Sequence, residues 1–121
     1  MHTEIVVYKD INSELKNIWL ELEKRSHNHC FQSLSWIFYL ISFFKKNNIF
    51  FLLQVIVVKK DTEVVAIFPF WIINLFGFKV LQWIGNDFSD YNGPILSNDY
   101  NYNETEFLKD FNSIKKKNRK I

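Results

Sequence analysis

Two short stretches of the sequence gather side chains that can do chemistry. The first holds His27, His29 and Cys30, which are residue types that bind zinc. A tetrahedral zinc site needs four ligands, and the sequence has no Cys-x-x-Cys or His-x-x-x-His pair to complete one. A Cys-His nucleophilic pair needs the fold to bring the two side chains together, which adjacency in sequence does not supply. We therefore interpret this stretch as a polar loop and predict no metal site.

The second stretch is GNDFSDYNGP at residues 85–94, where carboxylates, a phenol, amides and two glycines follow an apolar run. Loops held by a rigid sheet commonly carry binding groups. The same composition also suits a turn-rich connection, in which Asp and Asn side chains cap neighbouring amides. The residues alone leave both interpretations open.

Size and composition indicate one domain. A chain of 121 residues has room for a single core, and 48% of its residues are hydrophobic. No composition change marks an internal boundary, so residues 1–121 are predicted to form one domain, with residues from about 115 to 121 as a frayed basic tail. The net charge of +2 is close to balance, so neither a nucleic-acid partner nor strong attraction to an anionic membrane is expected from long-range electrostatics.

The sequence also predicts neither export nor a transmembrane helix. The best candidates for a membrane span are the uncharged runs of residues 31–44 and 64–78, and both are shorter than the roughly 18 to 20 apolar residues that cross a bilayer. Cys30 is the single cysteine, and the amino terminus lacks a basic segment leading into an apolar one. A cytoplasmic location is therefore expected. No glycine-rich phosphate loop, His-Glu-x-x-His or Gly-x-Ser-x-Gly motif occurs.

Hydrophobic spacing predicts a strand and two helices in the first 46 residues. The strand is residues 4–8, and a helix with apolar residues three and four apart runs from Asn12 or Ser13 to Arg25. A second helix begins at Ser33 or Ser35 and stops at the cations after residue 44. Because apolar residues cover most of the circumference of the second helix, it is predicted to be buried on more than one side.

The next segment predicts an antiparallel meander. Residues 49–58 and 63–73 are rich in β-branched and aromatic side chains and form a hairpin, and a third strand covers residues 79–84. Pro69 has no amide hydrogen, so it is expected at a bulge or an edge-facing position. Residues 103–117 predict a last helix with Phe107, Leu108, Phe111 and Ile114 inward. The predicted fold class is α+β.

Four short segments in this order resemble a known family. They are IWLEL at residues 18–22, CFQSLSW at 30–36, VVAIFPF at 64–70, and LQWIG at 81–85 followed by SDYNGPIL at 89–96. Together they resemble the acyltransferases similar to the cellulose-biosynthesis protein CelD, which are relatives of the FemAB peptidyltransferases in the GNAT superfamily. The resemblance implies an α/β sandwich, in which the meander of residues 49–84 packs on the two preceding helices as the amino-terminal half of a GNAT-like domain.

The resemblance also implies an activity and a site. Such enzymes transfer an acyl group from acetyl-coenzyme A or another acyl-coenzyme A to an amine or hydroxyl, here of a cell-envelope or polysaccharide precursor. By position in the family pattern, Asp90, Tyr91 and Asn92 are candidate substrate contacts, with Asp87 a weaker neighbour.

The family's coenzyme-binding segment has no counterpart in the sequence. Members of the family continue into a strand and glycine-containing loop that bind the pyrophosphate through amides at a helix start. None of the three glycines of this chain forms a Gly-x-Gly pair. The resemblance therefore implies the amino-terminal half of an acyltransferase, expected to be inactive by itself and to be completed by a second polypeptide or subunit.

Two alternatives belong to other functional classes. A non-catalytic interaction module would use an open sheet edge of the same scaffold to pair with a partner chain. A membrane-surface protein would instead use the apolar helix of residues 31–44.

Overall fold

Three helices and a five-stranded antiparallel sheet make up the computed structural model, which describes residues 2–26, 33–85, 93–100 and 104–117. The side chains of residues 104, 107 and 114–117 lie outside this description. The α+β class predicted from the sequence is confirmed. The elements are, in chain order, β1 (Thr3–Tyr8), α1 (Ser13–Lys24), α2 (Leu34–Lys46), β2 (Phe51–Lys60), β3 (Glu63–Leu75), β4 (Phe78–Trp83), β5 (Ile95–Leu96) and α3 (Glu104–Lys117).

Both predicted helix starts are confirmed by their caps. The Asn12 side chain accepts a hydrogen bond from the amide of Leu15 at 2.8 Å, and Ser33 accepts one from the amide of Trp36 at 3.2 Å. Such caps satisfy amides that have no partner within the helix. A carboxylate of α1, that of Glu23, also accepts from the amide of Leu34 at 2.6 Å, and so ties the start of α2 to α1.

The strands lie in the order β1-β2-β3-β4, with every pair antiparallel. The meander predicted from residues 49–84 is thereby confirmed. The sequence predicted the strand β1 but not its position in the sheet. The structure pairs β1 with β2, with Val6 opposite Val57. It also missed β5, whose two residues pair with Ile67 and Ala66 on the same side of β3 as β4. A two-residue strand has no period to detect, because its pairing depends on residues far away in the chain.

Both hairpin connections are two-residue turns with positive φ at each residue. Asp61 and Thr62 have φ of 55° and 89°, while Phe76 and Gly77 have 51° and 86°. This is the type I′ geometry, which matches the right-handed twist of the flanking strands. Only Gly77 is a residue for which such backbone angles carry no steric cost.

Pro69 lies within the central strand β3, where the β3–β4 ladder ends. Its carbonyl accepts from the amide of Ile84 at 2.8 Å, just beyond the last ladder pair, Phe70 with Trp83. The nitrogen and carbonyl of one residue point to the same side of an antiparallel strand. The donor that proline lacks would thus have faced the end of β4, so the β2–β3 ladder loses no bond.

The two faces of the sheet bury separate hydrophobic clusters. One face packs on α1 and α2, with Trp19, Leu22, Ile37, Val55 and Trp71 at its centre. The other face holds Ile56, Val58, Ala66, Phe68 and Phe70, against which Phe111 of α3 packs. The sheet is therefore covered on both sides, with the two amino-terminal helices opposite the last one.

Two predictions about the helices are wrong. We expected α2 to be buried on more than one side, but Tyr39 is 59% exposed and Phe43 is 41% exposed. The sheet covers one face of α2, and its inward side chains, among them Ile37 and Phe44, already occupy the core. The core-facing side of α2 is therefore paired with the sheet, while Tyr39 and Phe43 lie on its exposed side.

In α3, Leu108 was expected inward but is 54% exposed. Asp110 faces the sheet instead and is 3% exposed, because it pairs with a lysine of β2. The structure continues α3 through Lys117, so residues 115–117 of the predicted frayed tail are helical. Residues 118–121 lie outside the described part of the chain.

Candidate functional site

The loop singled out in the sequence is anchored at both ends to one side of β3. Where it begins, Ile84 donates its amide to the carbonyl of Pro69. Where it ends, Ile95 pairs with Ile67, and both Ile84 and Ile95 are buried. Pro69 and Ile67 are two residues apart, about 7 Å along a strand. The residues on either side of this stretch are therefore attached to β3 at nearly one place.

The predicted substrate contacts Asp87, Asp90, Tyr91 and Asn92 all fall between these anchors, outside the described residues. The pair of anchors fixes where the loop is attached, beside the end of β4. His27, His29 and Cys30 also lie outside the described residues. Among the residues that are described, no group of three or more His, Cys, Asp or Glu side chains is arranged to hold a metal ion.

Strand β4 has an outer edge that pairs with no described strand. The bond from Ile84 to Pro69 sets the alternation of inward and outward backbone groups along β4. The groups of Val80 and Gln82 point to β3, and those of Lys79, Leu81 and Trp83 point away from it. Free backbone donors and acceptors of this kind are a template for a further strand.

A row of three side chains crosses the sheet to this edge. Gln54 on β2 lies opposite Phe70 on β3, and Phe70 lies opposite Trp83 on β4. The ring centroids of Phe70 and Trp83 are 4.4 Å apart. Gln54 is 4% exposed, and its Oε1 has no hydrogen-bond partner. Leaving a buried acceptor unpaired costs roughly 1–3 kcal/mol, so Gln54 does not serve stability through that oxygen.

Gln54 was missed in the sequence because it lies within a run of β-branched and aromatic residues that predicts a strand. The signal that could have found it is its amide, the single polar side chain between Ile49 and Val58. A buried polar residue in an apolar strand is more informative than the apolar residues around it.

On the same face of the sheet, a charged cluster closes the end near the β2–β3 turn. The Nζ of Lys60 lies 3.1 Å from the Asp110 carboxylate, 3.6 Å from that of Glu106 and 3.1 Å from the Thr3 hydroxyl. The side chains of Lys60 and Asp110 are only 6% and 4% exposed. This buried pair fixes α3 on the sheet.

Tyr100 belongs to the same cluster and donates its hydroxyl hydrogen to Glu106 at 2.7 Å. That hydrogen bond, followed by burial and by the negative charges of Glu106, Asp110 and Asp61, raises the pKa of Tyr100 to about 12. The phenol is therefore a hydrogen-bond donor and not a base at neutral pH. The arrangement is that of a structural cluster.

Arg25 joins three segments on the other side of this end. Its guanidinium donates to Glu63 and Ser97, each at 3.2 Å, and to the carbonyl of Val64 at 3.3 Å. Its own carbonyl accepts from the amide of Asn98 at 2.7 Å. The end of α1, the start of β3 and the chain after β5 are thus held together, which secures the returning end of the loop.

A surface depression of about 140 Å³ is lined by His2, Glu4, Lys59 and Thr62. An ion pair of 3.7 Å between Lys59 and Glu4 spans it. These are strand-end side chains at the surface, and nothing in their geometry distinguishes a nucleophile or a base.

The starts of α1 and α2 do not fit a phosphate. Helix starts bind anions through free amides, but here the Asn12 and Ser33 caps occupy amides of both helices. At α2 the Glu23 carboxylate already sits on the amide of Leu34, and α1 carries Glu14 in its first turn. A pyrophosphate at either start would meet a negative charge.

The fold and this geometry define an α+β protein with an open-edged antiparallel sheet and a loop anchored beside that edge. No protein-family model, curated protein or solved structure matches the chain. None of the helices within the described residues is long and apolar enough to cross a membrane.

Proposed function

We propose that this chain is the acceptor-binding half of a GNAT-type acyltransferase, and that β4 pairs with the polypeptide that supplies the acyl-coenzyme A site. The observation that carries the proposal is the outer edge of β4, which no described strand covers and beside which the loop of residues 86–92 is anchored. The order of two helices followed by an antiparallel meander agrees with the family resemblance.

On this proposal the acyl acceptor binds beside the end of β4. Asp90, Tyr91 and Asn92 are the proposed contacts from the loop, with Asp87 next to them. Gln54 supplies a buried amide oxygen in the row that leads to the edge, which suits an amine or hydroxyl donor on the acceptor. Because neither α1 nor α2 offers a vacant start to an anion, we assign the coenzyme to the pairing polypeptide. The proposed place of action is the cytoplasm, where acyl-coenzyme A is made.

Calorimetric titration of the chain with acetyl-coenzyme A tests where the coenzyme binds. We expect no heat of binding for the chain alone. Binding at micromolar concentration would show that the chain holds the coenzyme itself, and would overturn the assignment to a second polypeptide.

A second candidate function rests on the same open edge without catalysis. In this case the chain is an interaction module, and strand addition at β4 is its whole activity. The two candidates differ once a pairing polypeptide has been isolated by its retention on the chain. The acyltransferase proposal requires the complex to bind acetyl-coenzyme A, and a complex that binds none would support the interaction module.

A further inference from the structure

The end of the sheet opposite the charged cluster carries a group of exposed apolar side chains. Phe76 in the β3–β4 turn is 94% exposed, and the next aromatic residue, Phe78, is 72% exposed. We name this group the apolar tip. Its other members, each between 42% and 45% exposed, are Ile49, Phe50, Leu52, Leu75 and Leu81.

The tip is convex, because its members lie on both faces of the sheet and at its apex. Leu75 and Phe78 lie opposite each other and share one face of the sheet. Leu52 and Leu81 both lie opposite Ile72, one on each side of β3, so they share the other face. Phe76 lies between them at the end of the hairpin.

Positive charge surrounds the tip. Lys45 and Lys46 end α2 directly before Ile49, and Lys79 follows Phe78 with its Nζ 5.8 Å from the ring centroid of Phe50. Neither residues 43–54 nor residues 71–83 include an Asp or Glu. The segments that form the tip therefore combine exposed aromatic rings with three cations and contain no Asp or Glu.

The stability of the fold does not explain why a phenylalanine occupies position 76. Its φ of 51° is in the left-handed region, where a residue with a Cβ costs about 1–2 kcal/mol, and its ring makes almost no contact with the rest of the domain. Residues that break a local rule without a compensating gain are commonly functional.

We propose that the apolar tip inserts into the surface of a lipid bilayer that carries anionic headgroups. The proposal is independent of the acyltransferase function. Interfacial elements bury their apolar side chains about 5–10 Å into the boundary of headgroups and acyl chains. Lys79 lies opposite Asn74, which precedes Phe76 by two residues, so Lys79 is about 7 Å of strand away from the apex. When Phe76 reaches the acyl chains, Lys79 thus lies at the depth of the headgroup phosphates.

Charge complementarity favours a bilayer over a second copy of the chain. Two tips facing each other would bring six lysines together, and the segments that form the tips contain no Asp or Glu to pair them. An anionic leaflet attracts each of these lysines instead, and contributes roughly fivefold in partitioning per Lys near its surface. Insertion by aromatic residues and attraction by lysines then act together.

The test is co-sedimentation of the full chain with vesicles of phosphatidylcholine, with and without phosphatidylserine. We expect binding to the vesicles that contain phosphatidylserine, weakened by salt. Replacing both rings (Phe76→Ser with Phe78→Ser) should weaken binding about tenfold or more, because the apolar area that enters the bilayer is lost. Lys46→Glu and Lys79→Glu should each weaken it at least about fivefold.

Matched controls come from α1, away from the tip. Leu20→Ser removes a side chain that is 46% exposed, and Lys24→Glu reverses a lysine whose side chain is 74% exposed. Both controls should bind vesicles as the unchanged chain does. Circular dichroism checks that every variant is folded, which we expect because all the replaced side chains are exposed.

Three results would overturn the proposal. The first is no sedimentation with phosphatidylserine vesicles. The second is a loss of binding in the α1 controls equal to that in the tip variants. The third is a native mass showing that the tip holds two copies of the chain together, with the Phe76 and Phe78 replacements separating them and no vesicle binding.

Discussion

The two ends of the sheet use the same turn geometry for opposite purposes. At the charged end, Asp61 and Thr62 form a type I′ turn beside the buried pair of Lys60 and Asp110, which holds α3. Arg25, on the other side of this end, holds the end of α1 through Glu63. At the other end, Phe76 and Gly77 form the same turn and leave aromatic rings in solvent.

The two ends differ in what their side chains do. Charged side chains at one end hold helices on the sheet, whereas apolar side chains at the tip face solvent. At the charged end Lys60 and Asp110 are buried, because each pairs with the other across two elements, while other paired residues such as Glu63 are exposed. Apolar residues at the tip are exposed, although the core a few residues away holds Trp71 at 4.4 Å from Phe44. Most buried residues of the described part are apolar, and the two ends of the sheet are where individual residues depart from that rule.

The largest effect is expected from Asp110→Ala at the charged end. This change leaves the buried Lys60 ammonium without its closest carboxylate, and we expect a loss of about 3 kcal/mol in the free energy of unfolding. Urea denaturation measures the loss. Lys109→Ala, an exposed neighbour on α3, should change the free energy by less than about 0.5 kcal/mol.

A double replacement sharpens this prediction. Lys60→Met combined with Asp110→Leu removes both charges and should recover most of the lost stability, since apolar residues of similar size replace a buried pair at little cost. If Asp110→Ala costs no more than Lys109→Ala, then the cluster does not hold α3.

The next effect is a pH dependence at the same end. The pKa of Tyr100, raised to about 12 from its usual 10, means that the folded state favours the neutral phenol. The contribution of the neutral Tyr100 phenol to the free energy of unfolding is therefore complete below pH 10 and is lost as the pH rises from 10 to 12. When the pH rises from 9 to 11, the free energy of unfolding should fall by about 1 kcal/mol less for the Tyr100→Phe variant than for the unchanged chain.

Tyr39→Phe is the matched control, because its ring is exposed on α2. It should lose the same stability between these two pH values as the unchanged chain. An equal pH response of Tyr100→Phe and the unchanged chain would contradict the hydrogen bond to Glu106.

A smaller effect compares the two turns directly. Thr62 is β-branched at a φ of 89°, so Thr62→Gly should relieve backbone strain and stabilise the protein by about 1 kcal/mol. Phe76→Asn should stabilise it by roughly 0.5 kcal/mol, because asparagine tolerates the left-handed region. Thermal unfolding measures both, and destabilisation by Phe76→Asn would show that the ring serves the fold.

The sequence predicted those parts of the fold that depend on local patterns. The caps at Asn12 and Ser33 and the apolar spacing of α1 located the helices, and the break at Lys59 to Thr62 located the first hairpin turn. Pairings across long sequence distances were not accessible, as with β1 beside β2 or β5 beside β3.

For the candidate site, the sequence predicted only that the stretch of residues 85–94 is attached to the sheet at the end of a strand. Lys60 lies in a charged turn that resembles a solvated face, and its partner Asp110 is 50 residues away, so no local signal marked the buried pair. The apolar tip did leave a signal, which is that Leu75, Phe76 and Phe78 occupy a predicted turn where polar residues are usual. Asp87, Asp90, Tyr91 and Asn92 stay predictions.

Amide hydrogen exchange along β4 in the monomeric chain tests the central claim, that this strand offers an open edge, most directly. Val80 and Gln82 should exchange slowly because their amides bond to β3, while Lys79, Leu81 and Trp83 should exchange at rates close to those of a free peptide. Uniform protection of all five amides would mean that another part of the chain covers the edge, and would contradict the proposed pairing at β4.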